Sequence, residues 1–116
     1  MALTDLEPAD VARWLAERSI VLIDVREPAE YAVERIHGAL LYPLSTFDPK
    51  ALSDFGGRRV VFHCGSGMRS AKAVAACELA GLAISDHMKG GIQAWKAAGL
   101  STIRTDADSG QSREGR

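Results

Sequence analysis

At 116 residues the chain is long enough for one domain with one core, and its hydrophobic fraction of 47% and charged fraction of 25% are those of an ordinary globular protein. A formal net charge of −1, with no block of Lys and Arg, argues against nucleic acid or an anionic membrane as the main partner. No run approaches the ~18 apolar residues of a membrane helix, the first residues lack the basic-then-apolar pattern of a signal peptide, and two cysteines without metal-type Cys/His spacing suggest neither a disulfide framework nor a zinc site; a reducing cytoplasm is the expected compartment.

In chain order, Leu3-Thr4-Asp5-Leu6 reads as a short edge strand. Glu7-Pro8 opens a helix, with Pro8 suited to its first position and Asp10 in its first turn, and Val11, Trp14 and Leu15 share one face. The run Ile20-Val21-Leu22-Ile23-Asp24-Val25 has no polar alternation, the mark of a parallel strand buried on both faces. Glu27 to Tyr31, containing Pro28, is expected to be a turn or one helical turn. Leu40-Leu41-Tyr42 is a third strand closed by Pro43, and a short helix is expected around Lys50-Ala51-Leu52. Val60-Val61-Phe62-His63-Cys64 is a second buried strand, followed by a loop with two glycines and an Ala-rich helix that Gly81 stops. A weaker strand covers 82–88, and a last helix runs over 92–98. Residues 1–103 thus form the folded domain. Residues 104–116 are a polar tail, too poor in apolar surface to order itself and expected to be frayed or pinned only by a neighbour.

The chemistry concentrates in residues 64–70. A strand that feeds a tight Gly-containing loop and then a helix N-terminus makes an anion cradle, since successive backbone N–H groups point inward and the helix adds its unpaired donors and its dipole. A cysteine at its rim gains a lowered pKa, and charge built on its sulfur is stabilised by the same donors. Parallel sheets gather their sites outside the C-terminal strand ends. Asp24 and Cys64 are both delivered to that edge, with Arg26 just beyond.

His63-Cys64-Gly65-Ser66-Gly67-Met68-Arg69-Ser70 resembles the active-site loop of the single-domain rhodaneses. Asp24-Val25-Arg26-Glu27-Pro28-Ala29-Glu30-Tyr31, His37-Gly38-Ala39 and Gly90-Gly91-Ile92-Gln93-Ala94-Trp95 resemble that family's other signatures, in the family's order, over nearly the whole chain. The resemblance implies an α/β, rhodanese-like fold with a central, mostly parallel five-stranded sheet and helices on both faces. It also implies a thiosulfate sulfurtransferase in which Cys64 is the nucleophile and persulfide carrier, Gly65, Ser66, Gly67, Met68, Arg69 and Ser70 form the anion-binding loop, and Arg69 adds charge for the donor. The expected partners are a small anionic sulfur donor and a thiol or protein acceptor, with no nucleic acid, no membrane insertion, no metal and no organic cofactor.

Two other readings of the same loop exist. One is phosphate or arsenate chemistry, as a phosphatase or arsenate reductase, but the Cys-x5-Arg signature of cysteine phosphatases needs five residues before its Arg, whereas four lie between Cys64 and Arg69; the smaller cradle suits one sulfur atom better than a phosphoryl group. A persulfide carrier that delivers sulfur to a partner without turnover would need the same Cys64. Among the supporting residues, Asp24 and Arg26 either buttress the loop, pair with each other or contact the substrate directly, and Arg26 has Glu27 and Glu30 as alternative partners. His63 neighbours Cys64 on a strand and is expected to face away from it, while His37 and His87 read as structural. Met68 is expected to form an apolar wall over Cys64. Cys77 lies about two turns, ~10 Å, along the helix from Ser70, too far for the ~7 Å Cα separation of a disulfide, and reads as packing. Trp14 and Trp95 are expected in the core, and the Gly90-Gly91 turn is placed at the border of the pocket.

Overall fold

The computed structural model describes residues 3–115. Its elements are β1 (Thr4–Leu6), α1 (Pro8–Ala16), β2 (Ile20–Asp24), α2 (Pro28–Val33), β3 (Glu34–Arg35), β4 (Leu40–Leu41), β5 (Arg59–His63), α3 (Met68–Leu79), β6 (Asp86–Met88), α4 (Gly91–Ala97), β7 (Thr102–Thr105) and β8 (Ser112–Gly115). Five strands form one sheet in the order β1-β6-β5-β2-β4, every pair parallel. The segment between β4 and β5 contains three 3₁₀ turns, and the short helix expected around Lys50-Ala51-Leu52 is the second of them, Pro49–Ala51.

The unalternating apolar run of β2 is explained by its position: all five residues are buried, with a helix layer on each side. Ile20 and Leu22 join Leu6, Val11, Val61, Met88, Ile92 and Trp95 in the core beneath α1 and α4. Val21, Ile23 and Val25 join Phe62, Cys64, Ala73, Val74 and Cys77 in the core beneath α3. Period-two alternation therefore puts Cys64 on the α3 face, and its neighbour His63 on the other. Trp95 is buried and donates its indole N–H to the Ser101 carbonyl at 2.8 Å. Trp14 is only half-buried, with the Arg13 and Arg59 guanidinium groups 5.5 and 5.0 Å from its ring centre.

The expected frayed tail is corrected by the structure. β7 and β8 form an antiparallel hairpin, and β7 pairs in turn with β3. β8 buries nothing, so apolar content could not have announced it. The hairpin is held by its backbone ladder and by polar contacts. Asp106 Oδ1 accepts the amides of Asp108 and Ser109 in the turn, and the Glu34 carboxylate gathers Thr102 Oγ1 at 2.6 Å, Arg104 Nε at 2.9 Å and Lys96 Nζ at 3.0 Å. No helix among the described residues is long and apolar enough to cross a membrane.

Candidate active site

Cys64 directly follows β5 at the C-terminal edge of the sheet, and α3 begins four residues later. Gly67 takes φ +110°, a backbone conformation open to glycine, and so turns the chain sharply into the helix. The turn aims main-chain donors at the sulfur. Sγ accepts the Gly67 amide at 3.1 Å and the Ser70 amide at 3.3 Å, with Ser70 Oγ at 3.6 Å. The loop's carbonyls point the other way, because α4 takes them: Ile92 N donates to Cys64 O at 2.8 Å and Gln93 N to Gly65 O at 3.2 Å. Two helix N-termini thus divide the loop's polar groups, α4 drawing the oxygens and α3 adding N–H groups to the sulfur side.

Gly91 is where this division becomes tight. A Cβ there would lie 2.3 Å from Cys64 O and 2.6 Å from the carbonyl carbon of Gly65, and its φ is +61°. The Gly90-Gly91 turn does border the pocket, with Gly90 N 3.5 Å from where a Cβ on Gly67 would sit.

Cys64 itself is only 1% exposed. Burial pushes its thiol up, but the Ser70 hydroxyl and the amides of Ser70, Gly67 and Ser66 outweigh that, and the thiol sits below its ordinary value of 9.0. Cys77 has no such donors. Burial alone raises it to about 11, and it packs beneath α3 as a free thiol.

Of the other loop residues, Ser66 and Met68 face solvent. Met68 is 72% exposed, so the expected apolar wall over Cys64 is not formed: the residue is the first of α3, and its side chain projects outward. Arg69 and Ser70 lie in the same first helical turn. Arg69 is held by Glu30 of α2 in a two-point pair of 2.6 and 3.0 Å, which brings its guanidinium over Gly65, 3.2 Å from where a Cβ would stand. Arg69 holds the Glu30 carboxyl down to about 2 against the opposing effect of burial. Glu30 is one of the residues that sequence reasoning assigned elsewhere. Its signal was the Glu27-Pro28-Ala29-Glu30 spacing, in which Glu30 Oε1 caps the Glu27 amide at 3.0 Å and is thereby fixed for Arg69.

Asp24 and Arg26 choose each other. Arg26 Nε lies 3.0 Å from both Asp24 oxygens and its terminal amine 2.8 Å from Oδ2, while the Arg26 amide donates to Oδ1 at 2.9 Å. The same guanidinium donates to Glu34 O at 2.6 Å, fastening the end of β2 to the start of β3. Both residues are buried. His63 is the register partner of Asp24 across β5 and β2. Its Nδ1 donates to Cys64 O at 3.2 Å and its Nε2 stands 3.5 Å from Asp24 Oδ2, without a hydrogen-bond partner. Burial keeps the imidazole below its ordinary value, against the Asp24 charge, so it is neutral and acts on the peptide after Cys64 rather than on the sulfur.

A further connection was not visible in the sequence. Ser70 Oγ lies 2.8 Å from His87 Nδ1, and His87 Nε2 lies 2.6 Å from Asp5 Oδ1. A cavity of about 700 Å³ between α1, β4 and α4 touches none of the loop; donor geometry rather than cavity size singles out the site.

A family model for the Rhodanese-like domain matches residues 7–98. The chain belongs to the rhodanese-like family. Its sulfurtransferase relative from Allochromatium vinosum is 31% identical over 100 residues, covering 85% of this chain and 94% of the relative. An uncharacterized protein of Synechocystis, slr1261, is 36% identical over 100 residues, 86% of this chain and 56% of its own length. Among solved structures, the thiosulfate sulfurtransferase of Pseudomonas aeruginosa superposes with a TM-score of 0.73 at 33% identity, covering 92% of this chain and 20% of its own. The chain thus spans about half of the Synechocystis relative and a fifth of the Pseudomonas chain. This rhodanese-like domain has an all-parallel five-stranded sheet with flanking helices, and a sulfurtransferase is among its relatives.

Proposed function

We propose that this rhodanese-like domain transfers sulfane sulfur through a persulfide on Cys64. The observation that carries the reading is the pair of amides, Gly67 N and Ser70 N, on a sulfur whose thiol is lowered despite burial. The Cys64 thiolate attacks the outer sulfur of thiosulfate or a related donor. The donor's S–S bond breaks, sulfite leaves with the bonding pair, and Cys64 keeps one extra sulfur. An acceptor thiolate, small or on a protein, then attacks that sulfur and Cys64 departs as thiolate. Each step develops or moves negative charge within reach of the same N–H groups, which are in place before the reaction. Gly65, Ser66 and Gly67 leave the backbone close to the incoming sulfur. The short loop, four residues from Cys64 to Arg69, supports a cradle for sulfur rather than for a phosphoryl group. Neither partner needs nucleic acid or a membrane, and a reducing cytoplasm would keep Cys64 available between turnovers.

In this reading Arg69, paired with Glu30, adds positive charge above Gly65. Arg69→Ala is expected to slow loading from thiosulfate by about tenfold, the scale of one charge-assisted contact, while loading from a neutral or protein-bound donor changes little. Initial rates with both donors, followed to cyanide as acceptor, test the function and the residue together. Absence of any transfer by the wild type rejects the function, and equal losses with both donors reject the donor-binding role of Arg69.

A further inference from the structure

The Cys64 thiol is 1% exposed, so its direct contact with water is small. Three polar side chains lead away from it. Ser70 Oγ is 3.6 Å from Sγ, His87 Nδ1 is 2.8 Å from Ser70 Oγ, and Asp5 Oδ1 is 2.6 Å from His87 Nε2. The fold lines them up. Asp5 and His87 are register partners on the adjacent parallel strands β1 and β6, so their side chains stand together on one face of the sheet, the face that α3 and Ser70 cover. Exposure rises along the row: Ser70 is 0% exposed, the His87 side chain 6% and the Asp5 side chain 55%.

The polarity of the row follows from its far end. A carboxylate at 2.6 Å accepts, so His87 Nε2 carries a proton, and in the neutral ring Nδ1 is the acceptor. Ser70 Oγ has two acceptors in reach, Gly67 O at 3.2 Å and His87 Nδ1 at 2.8 Å; in the row it donates to the nearer, His87, and its oxygen is left to accept from the thiol. Sγ–H, Oγ–H and Nδ1 point in one sense, as in hydrolase triads where a carboxylate fixes the tautomer of the base.

We propose that Ser70, His87 and Asp5 form the proton path of Cys64, through which the thiol proton reaches His87 and is held beside Asp5 while the sulfur is anionic. The transfer balances: Sγ gives its proton to Ser70 Oγ, Ser70 gives its own to His87 Nδ1, and neutral thiol plus imidazole become thiolate plus imidazolium. The Ser70 hydroxyl, now receiving a bond from Nδ1–H, is free to donate to the thiolate. His87 and Asp5 act through Ser70 and are positioning residues. The other charged groups nearby are otherwise engaged. Arg69 at the mouth is paired with Glu30, Asp86 of β6 with Arg59 and Asp24 with Arg26, while His63 is neutral and lies on the other face of the sheet. The proposal deepens the sulfur-transfer reading, but thiol ionisation is measured without any sulfur donor.

The test is the rate of Cys64 alkylation by iodoacetamide across pH, assigned to Cys64 by peptide mass. Cys77, raised to about 11, stays silent in the neutral range. His87→Asn, which hydrogen-bonds but does not ionise, should move the midpoint of the profile up by about one pH unit, about tenfold in rate below it. Asp5→Asn, at an exposed position, should move it in the same direction by less, and His37→Asn should overlay the wild type. A merely structural His87 would scale the rate at every pH and leave the midpoint in place. Unmoved midpoints in His87→Asn, or in Asp5→Asn should the former fail to fold, overturn the path. Sulfur loading from thiosulfate, weighed on the same samples, separates the two ideas: loading with an unmoved midpoint rejects the path alone, and a moved midpoint without wild-type loading rejects sulfur transfer alone.

Discussion

Cys64→Ser should take up no sulfur from thiosulfate and should lose transfer to cyanide by at least about 10⁴-fold, the scale seen when an enzyme's nucleophile is removed. The substitution is nearly isosteric, and a hydroxyl at that place can accept the same Gly67 and Ser70 amides that now meet the sulfur. The fold should therefore survive, and an unchanged melting curve is the control. The loss is chemical. A serine oxygen is not ionised by two amides at neutral pH, and it is a poor nucleophile toward divalent sulfur. Intact mass after incubation with thiosulfate reads the result directly: one added sulfur on the wild type, none on the variant. Sulfur retained by Cys64→Ser would move the site elsewhere, with Cys77 the remaining thiol.

Gly91→Ala should cost about 2–5 kcal/mol, combining about 1–3 kcal/mol for overpacking with about 1–2 kcal/mol for a left-handed backbone that a Cβ resists. The contacts responsible are Cys64 O at 2.3 Å and the Gly65 carbonyl at 2.6 Å, all main chain, so no side chain can swing aside. A domain of this size has about 5–15 kcal/mol in total, and urea unfolding should show the loss plainly. Gly81→Ala separates the two contributions, since Gly81 has φ +80° but no atom within 4 Å of a Cβ. It should lose only the backbone part. A variant of Gly91 that unfolds like that of Gly81 would mean that α4 does not clamp the loop. The clamp also matters for the site, because displacement of the Cys64 and Gly65 carbonyls rotates the peptides whose N–H groups face the sulfur.

What could be read from the sequence was whatever depends on local pattern. The unalternating runs at 20–25 and 60–64 located the two central strands, and glycines beside a cysteine located the cradle, because these signals lie within a few residues of one another. The partners of the cradle lie far away. Glu30 meets Arg69 across 39 positions, and Asp5 meets His87 across 82, through a strand register that no periodicity encodes. Asp24 and Arg26 had several carboxylates and cations to choose from, and geometry settled the choice. Met68 was misplaced because α3 starts two residues earlier than the Ala-rich run, which turns that side chain to solvent. The hairpin at 102–115 escaped because it is held by main-chain pairing and by Glu34, with little apolar burial to mark it.

The central claim is that the Ser70 hydroxyl and the main-chain amides of the loop lower the Cys64 thiol although the fold buries it. Titrating the ultraviolet absorbance of the thiolate in wild type, with Cys64→Ser subtracted, measures this directly. The account predicts a midpoint below the ordinary 9.0. A midpoint at or above that value would show that burial outweighs the cradle, and would contradict it.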